Sequence, residues 1–596
     1  MEERMGQKEI NGALKEEEHI MNQRKEKIME RKILVVGGVA GGASAAARVR
    51  RLDAHARIVM FERGEHVSFS NCCLPYHLSG TVENSDALVL MSPEKFAKQH
   101  DIEARVWSEV TEIHPREKKV TVRNLQSGEC YEEEYDKLIL APGASPVMPE
   151  GIVGIRQRHV FSIRNVADIR ALKKYIDQNH VRKAAVVGGG FIGVETAENL
   201  KMAGLSVTLV EGSSQIMLPF DYDMVQILHK EMLDCGIELY LSGILKEIKE
   251  DCIVINRQGK EETIEAEVVV MAIGVTPETG LARKAGLEIG KTGGILVNKN
   301  FQTSDPDIYA VGDAVETFHR LLGRPGRLAL AGPAQRQARA AANHMYGETD
   351  GNHGFIGSSC IRVFGQNAAC TGLNERTAKE AGLVCAYAHA IAPDKVGLMP
   401  DSHYMNLKLV FEVPTGRILG AQAIGKGNTD KRIDVIAAMI AMGGTLEDLK
   451  ELELCYSPVF GTAKDVVNLA ALIGLNLLNG RYRQVPVTDV RRLVEEGAYI
   501  VDVREEHEFE AGHLKGAHSI PLSQLRQRME EIPRDIPVYV HCRTGQRSYY
   551  AICCLQGHGY ENVHNVSGSF LGISLYEYFN DKTGDRVPVV TEYNFN

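Results

Sequence analysis

The chain has 596 residues, 44% of them hydrophobic and 24% charged, with a formal net charge of -10 and a pI near 6.1. That length exceeds what one hydrophobic core serves, so several domains are expected, and the acidic balance argues against a dedicated nucleic-acid binder. No apolar run is long enough to span a bilayer and no basic-then-apolar leader is present, which predicts a cytoplasmic protein whose 12 cysteines are free thiols rather than a disulfide scaffold.

Residues 1–28 are polar and strongly charged and are expected to be a disordered extension. Order is predicted to begin at Lys32-Ile-Leu-Val-Val36, an apolar run suited to a buried parallel strand. Gly37 to Gly42 then turn into a helix over Ala43 to Arg51. Glycines permit a tight turn and close backbone approach, and the helix N-terminus offers amide hydrogens to a pyrophosphate. Val39 stands where the GxGxxG pattern wants its middle glycine. The next strand, Arg57 to Glu62, ends in a carboxylate suited to a ribose 2′-hydroxyl.

Ser68-Phe-Ser-Asn-Cys-Cys-Leu-Pro-Tyr76 follows. Its cysteines are adjacent, so neither a CxxC redox pair nor a metal knuckle is the natural reading, and no metal is expected. Taken alone, the pair reads equally well as two small buried thiols. A stricter fingerprint comes next, with Gly188, Gly190 and Gly193 in place and Glu211 about twenty residues downstream. Glu211 favours the free 2′-hydroxyl of NAD and repels the 2′-phosphate of NADP. Two such units suggest two dinucleotides, one a tightly held electron relay and one an exchangeable hydride donor.

Tyr135 to Pro146 and Glu267 to Pro277 read as hinges between these units. A strand entering Gly312-Asp313 would set a carboxylate near a ribityl hydroxyl, although spacing alone also allows a surface turn. Leu330 to Ala342 reads as a helix whose small first-turn residues admit a flat ring. Residues 351–475 form a separate α+β region without a ligand turn, as an interface domain would. Asn479 to Gln484 is a short polar linker, so the unit after it is expected to be hinged. Within that unit Cys542 ends a strand and is followed by Arg543, Thr544, Gly545, Gln546, Arg547 and Ser548. Successive amides, a helix start and two arginines are the ingredients of a lowered thiol pKa and an anion cradle. Sulfur transfer and phosphoester hydrolysis both use such a loop; a ring one residue shorter than CxxxxxR suits a persulfide better.

On these motifs residues 29–475 resemble the coenzyme A disulfide reductase branch of the flavin disulfide reductases, and residues 485–596 resemble a rhodanese domain. Together they look like fused proteins linked to persulfide and polysulfide reduction. The resemblance implies an α/β fold with two Rossmann-like dinucleotide-binding domains, an α+β dimerisation domain and a C-terminal α/β rhodanese domain. Its divisions would be FAD-binding at 29–150 and 276–350, NAD(P)H-binding at 151–275, dimerisation at 351–475, a linker at 476–484 and rhodanese at 485–596.

It further implies FAD held by Gly37, Val39, Ala40, Gly42, Glu62, Arg63, Ala141, Gly143, Gly312, Asp313, Ala331 and Pro333. NADH or NADPH, with NADH favoured, falls to Gly188, Gly190, Ile192, Gly193, Glu211 and Gly274. Cys72 takes the role of a single redox cysteine against the flavin, with Cys73 either a resolving thiol or a filler, and Tyr456 reaches across a homodimer. Arg51, Ser68 and Asn71 fall to recognition of a coenzyme A carrier, and Cys542 with Arg547 to sulfur transfer within the cradle of Arg543 to Gln546. Many relatives carry a tyrosine-containing stretch after the histidine matching His389, whereas this chain reads His389-Ala-Ile-Ala-Pro-Asp394. Loss of a phenolic donor there makes coenzyme A disulfide itself a poorer expected substrate than a persulfide. The rival readings are an NADH oxidase or peroxidase cycling through a Cys72 sulfenate and a non-enzymatic redox-sensing scaffold.

Overall fold

The computed structural model describes residues 31–349 and 352–595, so the extension expected at 1–28 lies outside the described residues. β1 (Lys32–Val36), α1 (Ala40–Leu52), β2 (Arg57–Phe61), β3 (Ile102–Arg105) and β4 (Lys137–Leu140) open the first unit. β1 lies between β2 and β4, with Val35 beside Met60 and Ile139, which is why Ile33 to Val36 are apolar and buried. The second unit runs through β5 (Val160–Ser162), β6 (Lys183–Val187), α2 (Phe191–Met202), β7 (Ser206–Glu211), α3 (Tyr222–Asp234), β8 (Ile237–Leu241) and β9 (Val268–Met271). Its parallel sheet has the order β8-β7-β6-β9-β5.

The chain then returns to the first unit, where β10 (Ile308–Ala310) completes a sheet of order β10-β4-β1-β2-β3 and α4 (Ala331–Met345) packs against α1. The two crossings between units lie side by side, with Ala144–Pro146 paired antiparallel to Val275–Pro277. A third unit is an antiparallel sheet of β11 (Ser358–Val363), β12 (Gln366–Gly372), β13 (Cys385–Pro393), β14 (Tyr404–Glu412) and β15 (Ile418–Gly425) in the order β11-β12-β15-β14-β13. Ile433, Ile436 and Ile440 of α5 (Thr429–Met442) and Val467, Ala470 and Ala471 of α6 (Val466–Leu478) close its core.

The fourth unit has β16 (Arg483–Val485), β17 (Tyr499–Asp502), β18 (His518–Ser519), β19 (Val538–His541), α7 (Gln546–Gly557), β20 (Val563–Val566) and α8 (Ser569–Thr583). Its parallel sheet runs β16-β20-β19-β17-β18. Residues 476–484 are therefore not a linker. α6 runs to Leu478, β16 begins at Arg483, and Tyr482 between them is buried with its ring 5.5 Å from that of Tyr549. Their polar side chains disguise an edge strand, where alternate residues face solvent.

The fourth unit is docked rather than hinged. α8 lies on α3, with Phe579 4.9 Å from the His229 ring, Tyr576 6.0 Å from Tyr222, and the Tyr222 hydroxyl donating to Asn580 at 3.3 Å. Gln484 also donates to the Tyr387 carbonyl of β13 at 3.0 Å. Near this seam Lys408 is buried against three carboxylates, Asp223 at 2.9 Å, Asp221 at 3.1 Å and Glu375 at 2.7 Å. Burial alone would lower its pKa, but the three carboxylates outweigh burial and hold it well above the ordinary lysine value. Linker composition does not reveal an aromatic helix face such as that of α8, which is what fixes the unit in place.

Candidate active site

Each dinucleotide turn is built by the same close approach. At Gly37 (φ +96°) a Cβ would lie 2.1 Å from the Ala141 carbonyl oxygen, and at Gly42 it would lie 1.8 Å from that of Gly37. The second turn repeats this, with Gly188 2.3 Å from the Ala272 oxygen and Gly193 1.9 Å from the Gly188 oxygen. The middle position differs. Gly190 has φ -80° and Val39 φ -101°, so neither needs glycine for its backbone, and a valine is sterically allowed. Gly42→Ala is accordingly expected to remove flavin absorbance while Gly193→Ala keeps the flavin and loses NADH binding, read by absorbance and NADH titration.

Two carboxylates close the turns in parallel. Glu62 accepts from the Gly38 and Gly64 amides at 2.9 and 2.8 Å, and Glu211 from the Gly189 and Ser213 amides at 2.6 and 2.7 Å. Each keeps acceptor capacity for a ribose hydroxyl. The first turn opens into a cavity of about 720 Å³ lined by Gly37, Val39, Glu62, Arg63, Asn71, Ala141, Gly143 and Asp313, among others. Burial pushes the Asp313 pKa up, and its carboxylate makes no hydrogen bond among the described residues. An acceptor left without a donor beside a cavity fits a polyol hydroxyl. Gln337 accepts from the Gly312 amide at 2.7 Å and fixes this corner. Ala40 and Ala331 begin α1 and α4, and Pro333 lines a separate cavity of about 420 Å³. Ile192 is exposed in the first turn of α2, and Gly274 (φ +117°) lies just beyond β9 with open space at its α-carbon. Trp107, Arg164 and Glu278 also line the large cavity and escaped the sequence reading; Arg63 and Arg164 both donate to Glu278, at 2.8 and 3.2 Å. They come from three separate segments, and only the fold unites them.

Cys72 lies in a tight turn, Asn71–Cys73, that runs on through Leu74 into Pro75–His77. Cys72 is exposed, whereas Cys73 is partly buried against the core that includes Leu74 and Leu78. That contact favours Cys73 as filler. Partial burial at the sulfur raises the Cys72 pKa, and the charges of Glu195, Cys73 and Asp313 raise it further. The protein groups around Cys72 thus favour the thiol, not the thiolate. Ser68 and Asn71 share its loop, Ser68 with a left-handed φ of +47°. Arg51 is exposed in the last turn of α1, ~16 Å along the axis from the helix start at 1.5 Å per residue.

Tyr456 is half exposed on a loop of the third unit, near the exposed Val459 and Phe460. The Val396 amide donates to the Pro458 carbonyl at 3.3 Å, so the loop bearing Leu398, which is 87% exposed, is tied to this patch. His389 faces the seam with the fourth unit: its ring would lie 3.2 Å from a Cβ placed on Gly568, and both ring nitrogens are buried without a hydrogen-bond partner among the described residues.

Cys542 is buried at the end of β19, and the Gly545 amide donates to its sulfur at 3.1 Å. Gly545 holds φ +103°, turning the chain into α7. Ser569 accepts from the Cys542 amide at 3.2 Å, and the Phe570 amide donates to the Cys542 carbonyl at 3.0 Å. Thr544 and Gly545 are half-buried in the loop, and the exposed Gln546 donates to the Tyr550 hydroxyl at 2.8 Å. Arg547 does not point a free charge at a donor anion, since it is bidentate to Glu508 at 2.6 and 2.7 Å. That pairing, opposed by burial, holds the Glu508 carboxyl at about 2. Arg543 donates to the Asn594 carbonyl at 3.1 Å. Below the loop, the buried Arg504 pairs with Asp502 and lies 3.9 Å over the Phe570 ring. Glu508 and Ser569 escaped notice because their partners, Arg547 and Cys542, are distant in sequence.

No helix among the described residues is long and apolar enough to cross a membrane, and no His, Cys, Asp or Glu cluster among them is arranged for a metal. A chain that seats two dinucleotides in tandem and sets an exposed thiol near the first is a flavin- and pyridine-nucleotide-dependent oxidoreductase. The model described as pyridine nucleotide-disulphide oxidoreductase matches residues 31–338, that of its dimerisation domain residues 360–465, and that of a rhodanese-like domain residues 486–575. The chain belongs to the pyridine nucleotide-disulphide oxidoreductase family and carries a C-terminal rhodanese-like domain. It is similar to the coenzyme A disulfide reductase of Staphylococcus haemolyticus, 33% identical over 442 residues, covering 74% of this chain and 98% of that protein. The structure of reduced Bacillus anthracis CoADR-RHD superposes with a TM-score of 0.88 at 41% identity, covering 93% of this chain and 99% of that one. That of a NAD-dependent persulfide reductase from A. fulgidus gives 0.85 at 34%, covering 90% and 99%.

Proposed function

We propose that the protein is an NADH-dependent reductase of coenzyme A persulfide, polysulfide or related disulfides, with Cys72 as the redox sulfur and Cys542 as the sulfurtransferase nucleophile. The observation that carries this reading is the pairing, in one docked body, of an exposed thiol on the loop that borders the large cavity with a second thiol in an amide cradle. Likeness to two fused structures, one titled a persulfide reductase, supports it. Bound FAD, held by the first turn with Glu62 and Asp313, supplies a two-electron relay between NADH and sulfur. The Cys72 thiolate attacks the sulfane sulfur of a persulfide or polysulfide and takes it as a Cys72 persulfide while the carrier thiolate leaves, or with a disulfide forms a mixed disulfide and releases one thiolate; two electrons from NADH then return Cys72 to the free cysteine with release of hydrogen sulfide or of the second thiol. The Cys542 thiolate takes the sulfane sulfur of thiosulfate or polysulfide as sulfite or the shortened polysulfide leaves, and the thiolate of coenzyme A or another small thiol then attacks that outer sulfur with Cys542 leaving as thiolate. The exposed patch at Tyr456, Val459, Phe460 and Leu398 supports assembly as a homodimer, and twelve free cysteines support a reducing cytoplasm.

The test is anaerobic NADH and NADPH oxidation by the FAD-bound enzyme with coenzyme A persulfide, polysulfide and coenzyme A disulfide, beside an aerobic control. Persulfide and polysulfide are expected to be the best acceptors and NADH at least as good a donor as NADPH. Cys542→Ser should lose thiocyanate formation from thiosulfate and cyanide yet reduce supplied coenzyme A persulfide at the normal rate. Oxygen outpacing every sulfur acceptor would establish the oxidase reading instead.

A further inference from the structure

Trp107 is the only tryptophan of the chain and stands just beyond β3, before the strand Ser108–His114. β3 pairs with β2, Arg105 beside Phe61, and hydrogen bonds carry that pairing past the strand ends. The Glu62 amide donates to the Arg105 carbonyl at 2.9 Å, the Ser108 amide to the Glu62 carbonyl at 2.9 Å, and the Trp107 amide to the Gly64 carbonyl at 3.0 Å. The Leu125 amide donates to the Trp107 carbonyl at 2.7 Å. Held at both backbone groups, Trp107 keeps a left-handed φ of +53°, unfavourable for a bulky side chain. It lines the cavity of about 720 Å³ into which the first glycine turn opens. Trp107 is half-buried, yet among the described residues its indole joins no apolar core, meets no other ring and makes no hydrogen bond. A large aromatic side chain on a cavity wall, with no partner in the protein, leaves its π-face for a ligand.

We propose that Trp107 is the platform on which the adenine of FAD stacks, and so the residue that selects the whole dinucleotide over the mononucleotide FMN. This rests on FAD occupying the first turn with its adenosine ribose at Glu62. Hydrogen bonds set the order of groups along that wall. Glu62 accepts from the Gly38 amide of the turn at 2.9 Å and from the Gly64 amide at 2.8 Å, and the Gly64 carbonyl in turn accepts from Trp107. A dinucleotide follows the same order, with pyrophosphate at the glycines, ribose at the carboxylate and base beyond it. The ribityl end belongs with Asp313, on another segment of the wall, which leaves the adenine for Trp107. The other rings on the wall are already engaged: Phe61 lies in a buried core, Phe69 packs against another, and His66 lies 3.2 Å from Arg170. Stacking asks only for a flat π-system, so the indole holds the purine without a polar contact.

Release of FAD from the diluted holoenzyme is followed by the rise of flavin fluorescence. It is expected to be about tenfold faster in Trp107→Ala and Trp107→Leu than in wild type, and changed by less than about twofold in Trp107→Phe, which keeps a ring. Because the chain has a single tryptophan, its emission in the flavin-stripped protein reports this site alone. ADP, which carries the adenosine but no flavin to accept energy, is expected to quench that emission. FMN, which lacks the adenosine, is expected to bind wild type and all three variants equally. An emission that ADP leaves unchanged, wild-type release from Trp107→Leu, or equal losses of FAD and FMN would make Trp107 a structural turn residue and overturn the proposal. Where Trp107→Ala fails to fold with flavin, Trp107→Leu against Trp107→Phe gives the same comparison. If FAD does not occupy the first turn, Gly42→Ala keeps its flavin; if only the stacking fails, Gly42→Ala loses flavin while Trp107→Leu releases it at the wild-type rate, so the two failures are distinguishable.

Discussion

Replacing Cys72 by serine leaves NADH able to bleach the bound flavin and lowers sulfur reduction by ~10³-fold or more, within the range for loss of a covalent nucleophile. The nucleotide turns do not depend on the thiol: their geometry is set by Gly37, Gly42, Gly188 and Gly193 against the backbone oxygens of Ala141, Gly37, Ala272 and Gly188. Sulfur reduction does depend on it, because a sulfane sulfur must be held covalently while two electrons arrive. Cys73 is a poor substitute. It packs against the core shared with Leu74 and Leu78, whereas Cys72 is exposed on the loop that borders the cavity. Anaerobic stopped-flow absorbance, following flavin bleaching on NADH and its recovery on coenzyme A persulfide, separates the half-reactions. Bleaching without recovery is expected for Cys72→Ser and near-normal recovery for Cys73→Ser. Recovery in Cys72→Ser at the wild-type rate would move the role to Cys73 or reject a covalent intermediate.

The parts legible in the sequence are those whose physics is local. A glycine turn needs its glycines within six residues of one another, and the strand before it and the carboxylate after it follow from a single βαβ unit. Both fingerprints, and the pair of carboxylates Glu62 and Glu211 that close their turns, were visible for that reason. The loop at Cys542 was legible in the same way, but the state of its arginines was not. Arg547 and Glu508 are brought together only when α7 packs beside the loop after β17, and that pairing removes the free charge expected of Arg547. The polarity of Arg483 and Gln484 suggested a linker, yet an edge strand is polar on its outward side by the same rule. Glu195 sits in the helix after the second fingerprint and meets Tyr76 from across a unit boundary, a contact that no spacing in the chain encodes.

The docked seam should open in acid before either half unfolds. Two histidines lie in it, each held neutral. His229 of α3, fully buried against Phe579, has its pKa lowered to about 3 by burial, and His389, facing Gly568, has its pKa lowered to about 4, chiefly by burial and despite Asp223. A histidine whose pKa is depressed below the ordinary 6.5 stabilises the docked state fully above that value and loses its contribution as pH falls toward the depressed one. At pH 5 an exposed histidine binds a proton that neither buried one accepts, which costs the docked state ~2 kcal/mol for each at 1.36 kcal/mol per pKa unit. Asp223, lowered by Lys408 against the opposing effect of burial, acts in the same direction at still lower pH, and Lys408 itself would release its proton only in strong alkali. The seam therefore has no compensating gain on the acid side. Small-angle scattering of the FAD-bound enzyme is expected to give one compact radius of gyration at pH 7.5 and a larger one by pH 5, with flavin retained and faster amide exchange confined to α8 and α3. His229→Gln with His389→Gln should hold the compact radius at pH 5, because neither side chain then gains a proton on undocking. A wild-type radius unchanged down to pH 5 would mean that the aromatic contacts of α8 outweigh both histidines and that the seam stays closed throughout the range in which they titrate.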